Sequence, residues 1–158
     1  MLLGKKRKPG RKIGEMSVGE KLTLTEKIED KDLLLYLGLT NDSNPLFIQH
    51  DYASQTPFKK PIVPTIMLTG IVTAAVSKYL PGPGSSVNEQ QIKFIKPVYH
   101  YATIKFLFEI TEVDVKNNEI TMYIEAVDEE QEVVLNGTLK VAPPILVESF
   151  TGSALENF

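Results

Sequence analysis

Residues 42–53 read Asp42-Ser43-Asn44-Pro45-Leu46-Phe47-Ile48-Gln49-His50-Asp51-Tyr52-Ala53, which places a carboxylate and an imidazole in one short segment. Such a pair can carry acid–base chemistry, because His titrates near physiological pH. Asp42 has two readings: a catalytic acid or base, including one whose pKa is raised by burial, or a loop-capping side chain. Asp beside Ser and before Asn-Pro is a common turn arrangement. Asn44 and Pro45 shape the loop, and Asn44 can also hydrogen-bond a ligand. Phe47 neither accepts nor donates a proton; it fills space or walls an apolar chain. His50 lies three residues further on and would share the Phe47 face on a helical turn.

Lys59, Lys60 and Lys96 have the charge and reach to meet phosphates, against the plainer reading of solvated lysines. His100 follows Pro97-Val98-Tyr99 and is expected at the surface. Tyr99 and Tyr101 either line the mouth of a tunnel or pack between strands. Two His, no Cys and no paired spacing leave a metal site unsupported and exclude disulfides and thiol nucleophiles.

These groups need a scaffold. Residues 21–28 alternate apolar and polar and predict a half-buried strand. Asp30 is placed to cap a helix with Leu33, Leu34, Tyr36 and Leu37 on its apolar side, ending near Gly38 to Thr40. Residues 41–60 read as an irregular excursion with one helical turn near Asp51 to Ser54. Residues 64–80 then carry no charge before Lys78, which predicts a helix buried on most sides. Its small residues Gly70, Thr73, Ala74 and Ala75 would let a sheet approach closely. Pro64 suits the first turn, and Pro81-Gly82-Pro83-Gly84 stops the helix. Strand patterns follow at 90–95, 101–113, 119–127 and 132–141, with hairpin turns at 114–118 and 128–131. One apolar helix before an antiparallel meander is an α+β arrangement.

The chain has 158 residues, enough for one domain with a full core. No apolar run reaches the roughly 18 residues of a membrane span. The first residues pass at once into a basic cluster with no apolar stretch behind it, so a signal peptide is not expected. A cytoplasmic protein is the expectation. Six of the 17 basic residues lie in 1–12 and none of the 20 acidic ones, which leaves the remainder at −9. Residues 1–12 therefore read as a flexible basic arm, 13–142 as the domain and 143–158 as a peripheral tail. A basic arm on an acidic body can steer anionic partners, but without interleaved aromatics nucleic-acid binding is not expected.

The 42–53 segment resembles the signature of the MaoC-like, R-specific enoyl-thioester hydratase family: Gly-Asp-x-Asn-Pro, an aliphatic residue, His, then five residues and a small one. The similarity extends over roughly 15–142, through Pro57-Phe58-x-x-Pro61-Ile62, Leu80-Pro81-Gly82-Pro83-Gly84 and Phe94-Ile95-Lys96-Pro97-Val98. The resemblance implies a hotdog fold, an antiparallel sheet wrapped round one long helix. It also implies reversible hydration of a trans-2-enoyl thioester by an Asp and a His acting through one water. It further implies an acyl-CoA or acyl-carrier-protein ligand, no cofactor beyond the ligand's own coenzyme A or phosphopantetheine, and a homodimer or heterodimer. Asp42 matches the family Asp, but Phe47 stands where the His belongs. Asn41 replaces the Gly before the Asp, and Tyr101-Ala102 replaces a Gly-Asp pair.

The family's His-Gly at the start of the long helix, whose Gly N–H faces the thioester carbonyl, is here Pro64-Thr65, followed by Ile66. Thr65 keeps an N–H there, and a helix start favours an anion. The missing His resembles the acyl-holding subunit of a heterodimer whose paralogous partner supplies the Asp–His pair. The alternative is a binding or regulatory module without catalysis.

Overall fold

A computed structural model describes residues 6–7, 9–145 and 150–151. In chain order the elements are β1 (Lys6–Arg7), a 3₁₀ turn (Ile13–Glu15), β2 (Lys21–Lys27), α1 (Asp30–Thr40), α2 (Pro45–Ile48), α3 (His50–Ser54) and α4 (Thr65–Lys78). The strands β3 (Ser86–Phe94), β4 (Thr103–Asp114), β5 (Glu119–Val127), β6 (Val133–Ala142) and β7 (Phe150–Thr151) follow. Five strands form one antiparallel sheet in the order β2-β4-β5-β6-β3, and β1 pairs with β7 separately. Among the described residues no helix is long and apolar enough to cross a membrane.

Period-two patterning sets the inner face of the sheet. Ile104, Phe106, Phe108 and Ile110 of β4 point inward, as do Ile120, Met122, Ile124 and Ala126 of β5. Leu68, Val72, Ala75 and Val76 of α4 meet them at helical spacing and complete the core. Each fully buried Ile or Phe contributes about 1.5–3 kcal/mol relative to exposure. Gly137 of β6 lies under β3 so closely that a Cβ would sit 2.0 Å from the Gln91 carbonyl oxygen.

Several elements differ from their sequence expectations. The long helix buries one face only: Thr65, Gly70 and Thr73 are exposed, and Ile66 is 55% exposed. An apolar composition sets how much surface a helix can bury, not how much one chain covers. Of its small residues, Ala75 packs in the core while a Cβ on Gly70 would meet nothing within 4 Å. Pro64 precedes the helix as its N-cap instead of entering the first turn. Asp30 is the first residue of α1 and not its cap; Glu29 holds that position, and its N–H donates to Asp32 Oδ2 at 3.0 Å. Leu34 is 67% exposed, although the apolar side of α1 was expected to bury it.

The basic segment is not free over its last residues. Gly10 N–H donates to the Pro83 carbonyl at 2.6 Å and Arg11 N–H to the Pro81 carbonyl at 2.9 Å. Arg11 also pairs with Glu20 at 2.7 Å. At the other end, Pro143 and Pro144 are buried, so the packed body extends past residue 142. Lys5 and Lys8 of the basic run, and 146–149 and 152–158 of the tail, lie outside the described residues.

Candidate functional site

The 42–53 loop begins where α1 stops. Asn41 caps α1 at φ 56°, a left-handed conformation that Asn tolerates better than other non-glycine residues. The Asn at this position therefore preserves the turn. Asp42 Oδ2 accepts the Tyr36 hydroxyl at 2.6 Å, and Oδ1 accepts Asn44 N–H at 3.0 Å. The Tyr36 hydrogen bond, and secondarily the Asn44 amide, hold the Asp42 carboxyl below its ordinary pKa of 3.8. Asp42 is thus not a carboxylic acid with a raised pKa: it is half-buried at the loop edge, where its ionised form is stabilised. Asn44 caps α2 by accepting Leu46 N–H at 3.0 Å, with Pro45 in the first helical position.

Phe47 is half-buried on α2. Gln49, extended at φ −118° and ψ 108°, separates α2 from α3, so His50 does not share a helical face with Phe47. Both nevertheless line one cleft of about 630 Å³ between α1 and residues 99–101. Lys60 reaches the same cleft, with its ammonium 4.6 Å from the centre of the Tyr99 ring. Tyr99 donates its hydroxyl to the Phe58 carbonyl at 2.9 Å. Tyr101 sits at φ 67°, where the resemblance places a Gly, and its N–H donates to the Ile28 carbonyl at 2.7 Å. A bulky residue in that region is uncommon, and here a Tyr101–Asp30 hydrogen bond also holds it.

His100 was expected at the surface and lies instead in the wall of this cleft. Both ring nitrogens are buried and meet the Phe47 and Ile62 backbones outside ordinary hydrogen-bond geometry. Burial pushes its pKa below 6.5, against opposing contributions from Asp30 and the Phe47 and Ile62 backbones. An imidazole thus lies beside the Phe47 backbone, although position 47 itself carries none. Sequence distance hid it, because 53 residues separate the two.

Lys96 is engaged by acids of its own chain. It pairs with Asp128 at 3.0 Å, with Glu130 at 3.8 Å and with Glu132, and the Glu132 contact first among them raises its pKa. Lys59 is exposed at φ 69°. Ile62 N–H donates to the Leu46 carbonyl at 3.0 Å, which ties α2 to the segment entering α4. Pro64 is buried, and Thr65 and Ile66 open α4 in exposed positions with no side-chain cap. Their backbone N–H groups carry the positive end of a 14-residue helix. A second groove of about 360 Å³ runs between α4, α1 and β2, lined by Leu24, Leu35, Met67, Gly70, Ile71 and Ala74 among others.

The profile of the MaoC like domain family matches residues 12–132. An (R)-specific enoyl-CoA hydratase from Rhodospirillum rubrum is 34% identical over 84 residues, covering 53% of this chain. The match spans 58% of that relative's length. The unliganded R-hydratase PhaJ1 from Pseudomonas aeruginosa superposes with a TM-score of 0.81 at 26% identity, over 94% of this chain and 96% of its own. The ChsH1–ChsH2 complex from Mycobacterium tuberculosis has a chain of the same fold, with a TM-score of 0.71 at 21% identity over 80% of this chain and 98% of that one. The family match over most of the chain and the shared sheet-and-helix architecture lead to one assignment: this chain belongs to the MaoC-like domain family and has the hotdog fold.

Proposed function

We propose that the chain binds an acyl-CoA or acyl-carrier-protein thioester and serves as the His-less subunit of a heteromeric hydratase–dehydratase. The observation that carries this reading is Phe47. The surrounding motif is intact in Asp42, Asn44 and Pro45, yet the side chain able to exchange a proton is replaced by one that cannot. The groove beside α4 offers an apolar seat for the acyl chain, and the open start of α4 offers N–H donors for a thioester oxygen. Thr65 and Ile66 are the residues of that start. The family fold also occurs in a two-component complex, which supports pairing with a subunit that retains Asp-x4-His. Hydration of an enoyl thioester is redox-neutral overall, so this reading calls for no cofactor beyond the ligand's own coenzyme A or phosphopantetheine.

One observation favours a second reading, a thioester-binding module without catalysis. Both Asp42 oxygens are engaged within the chain, by Tyr36 and by Asn44. Calorimetric titration with crotonyl-CoA, then co-purification with a paralogous Asp-x4-His subunit, separates the two. The expected result is binding by the chain alone and turnover only in the pair. Family-like turnover by the pure chain overturns the heteromeric reading, and binding without turnover even in the pair favours the module.

A further inference from the structure

We infer that Tyr101 is a positioning residue for acyl-chain length: through Asp30 it sets the angle of α1 and so holds open the groove beside α4. The inference rests on the thioester-binding reading above, which seats the acyl chain in that groove, and adds the residue that fixes its width.

Three observations carry it. First, α1 is a partition between two cavities. Asp30, Leu33, Leu34 and Leu37 line the cleft toward residues 99–101, whereas Asp32 and Leu35 line the groove toward α4. With the α-helical repeat these two sets fall on opposite faces of the helix. No residue of α1 is fully buried, and Leu35 is 73% exposed. Met67 and Ile71 of α4 line the same groove and are only half-buried. Packing Leu35 against them would remove apolar surface from water, so apolar attraction draws α1 toward α4 and narrows the groove. Second, a contact on the other face opposes that pull. Ile28, buried just before α1, anchors the chain: its N–H donates to the Ala102 carbonyl at 3.0 Å and its carbonyl accepts the Tyr101 N–H at 2.7 Å. Two residues on, the Tyr101 hydroxyl bonds the Asp30 carboxylate. That bond lies on the cleft side, away from the groove, and fixes the angle at which α1 leaves its anchor. Third, Tyr101 stands at φ 67°, a conformation that glycine adopts freely and tyrosine only with strain. The backbone bond to Ile28 is one a glycine would make equally well. What the tyrosine side chain adds is its hydroxyl contact with Asp30 on α1.

The test compares calorimetric binding of crotonyl-CoA and octanoyl-CoA by wild type, Tyr101→Phe, Asp30→Ala and the double variant. Tyr101→Phe keeps the ring and removes only the hydroxyl. Each single variant should weaken octanoyl-CoA binding by roughly tenfold and leave crotonyl-CoA, whose short acyl group needs less of the groove, little changed. The double variant should bind no worse than either single one, because both remove the same bond. Urea midpoints check that each variant folds. A bond that merely stabilised the fold would weaken both ligands alike. Unchanged or tighter octanoyl-CoA binding in a folded Tyr101→Phe, equal losses on both ligands, additive losses in the double variant, or a wild type that binds crotonyl-CoA but not octanoyl-CoA overturns the inference while leaving thioester binding intact. Failure of the wild type to bind either ligand overturns the thioester reading itself, and the inference with it.

Discussion

Tyr36 donates its hydroxyl to Asp42 Oδ2 at 2.6 Å, which joins the last turn of α1 to the motif loop it releases. The same bond lowers the Asp42 pKa and raises that of Tyr36, as a phenol donating to a carboxylate must. Tyr36→Phe removes the donor and leaves the ring. The Asp42 carboxyl should then titrate closer to 3.8, read from its ¹³C shift against pH. An unmoved titration would mean that the Asn44 amide alone sets it.

His100 makes stability depend on pH. Its folded pKa lies below the ordinary 6.5, chiefly through burial, so between those values the unfolded chain binds a proton that the folded chain does not. Stability is therefore full above about pH 6.5 and falls as pH drops below it. Urea midpoints taken between pH 7.5 and 5.5 should decline more steeply for wild type than for His100→Leu. Equal slopes would contradict a buried, neutral His100.

Much of the fold was legible because local and global preferences agree. The alternation of Ile120, Met122, Ile124 and Ala126 specifies the inner face of β5, and Asp114 with Asn117 and Asn118 specifies the turn before it. The site was less legible. His50 and Phe47 look like helical neighbours until the extended Gln49 separates them. His100 looked peripheral because its burial depends on α1 and on the 61–63 segment, and no local pattern encodes that packing. Lys96 looked free because its acidic partners lie 32 to 36 residues away on the β5–β6 turn.

Gly137 is required by the close approach of β3. Its added Cβ would meet backbone atoms of Gln91 and Ile92, which cannot swing aside as a side chain tip can. Gly137→Ala should lower stability by roughly 1–3 kcal/mol, measured by urea unfolding. A neutral effect would show that β3, an edge strand, shifts without cost.

Gly70 offers the opposite case. It lies in the middle of α4 with open space around it and borders the groove. Gly70→Leu should stabilise the helix by about 0.5–1 kcal/mol through intrinsic propensity. If the groove seats the acyl chain, the same change should weaken octanoyl-CoA binding by roughly tenfold and spare crotonyl-CoA. Equal effects on both ligands would place the acyl chain elsewhere.

The proposed thioester site has Phe47 where its proton-exchanging imidazole would stand. Its most direct test is loss of enoyl absorbance from crotonyl-CoA, followed with the pure wild-type chain beside Phe47→His. The account predicts no turnover by wild type and clear hydration by Phe47→His. Robust hydration by wild type, unimproved by Phe47→His, would contradict it.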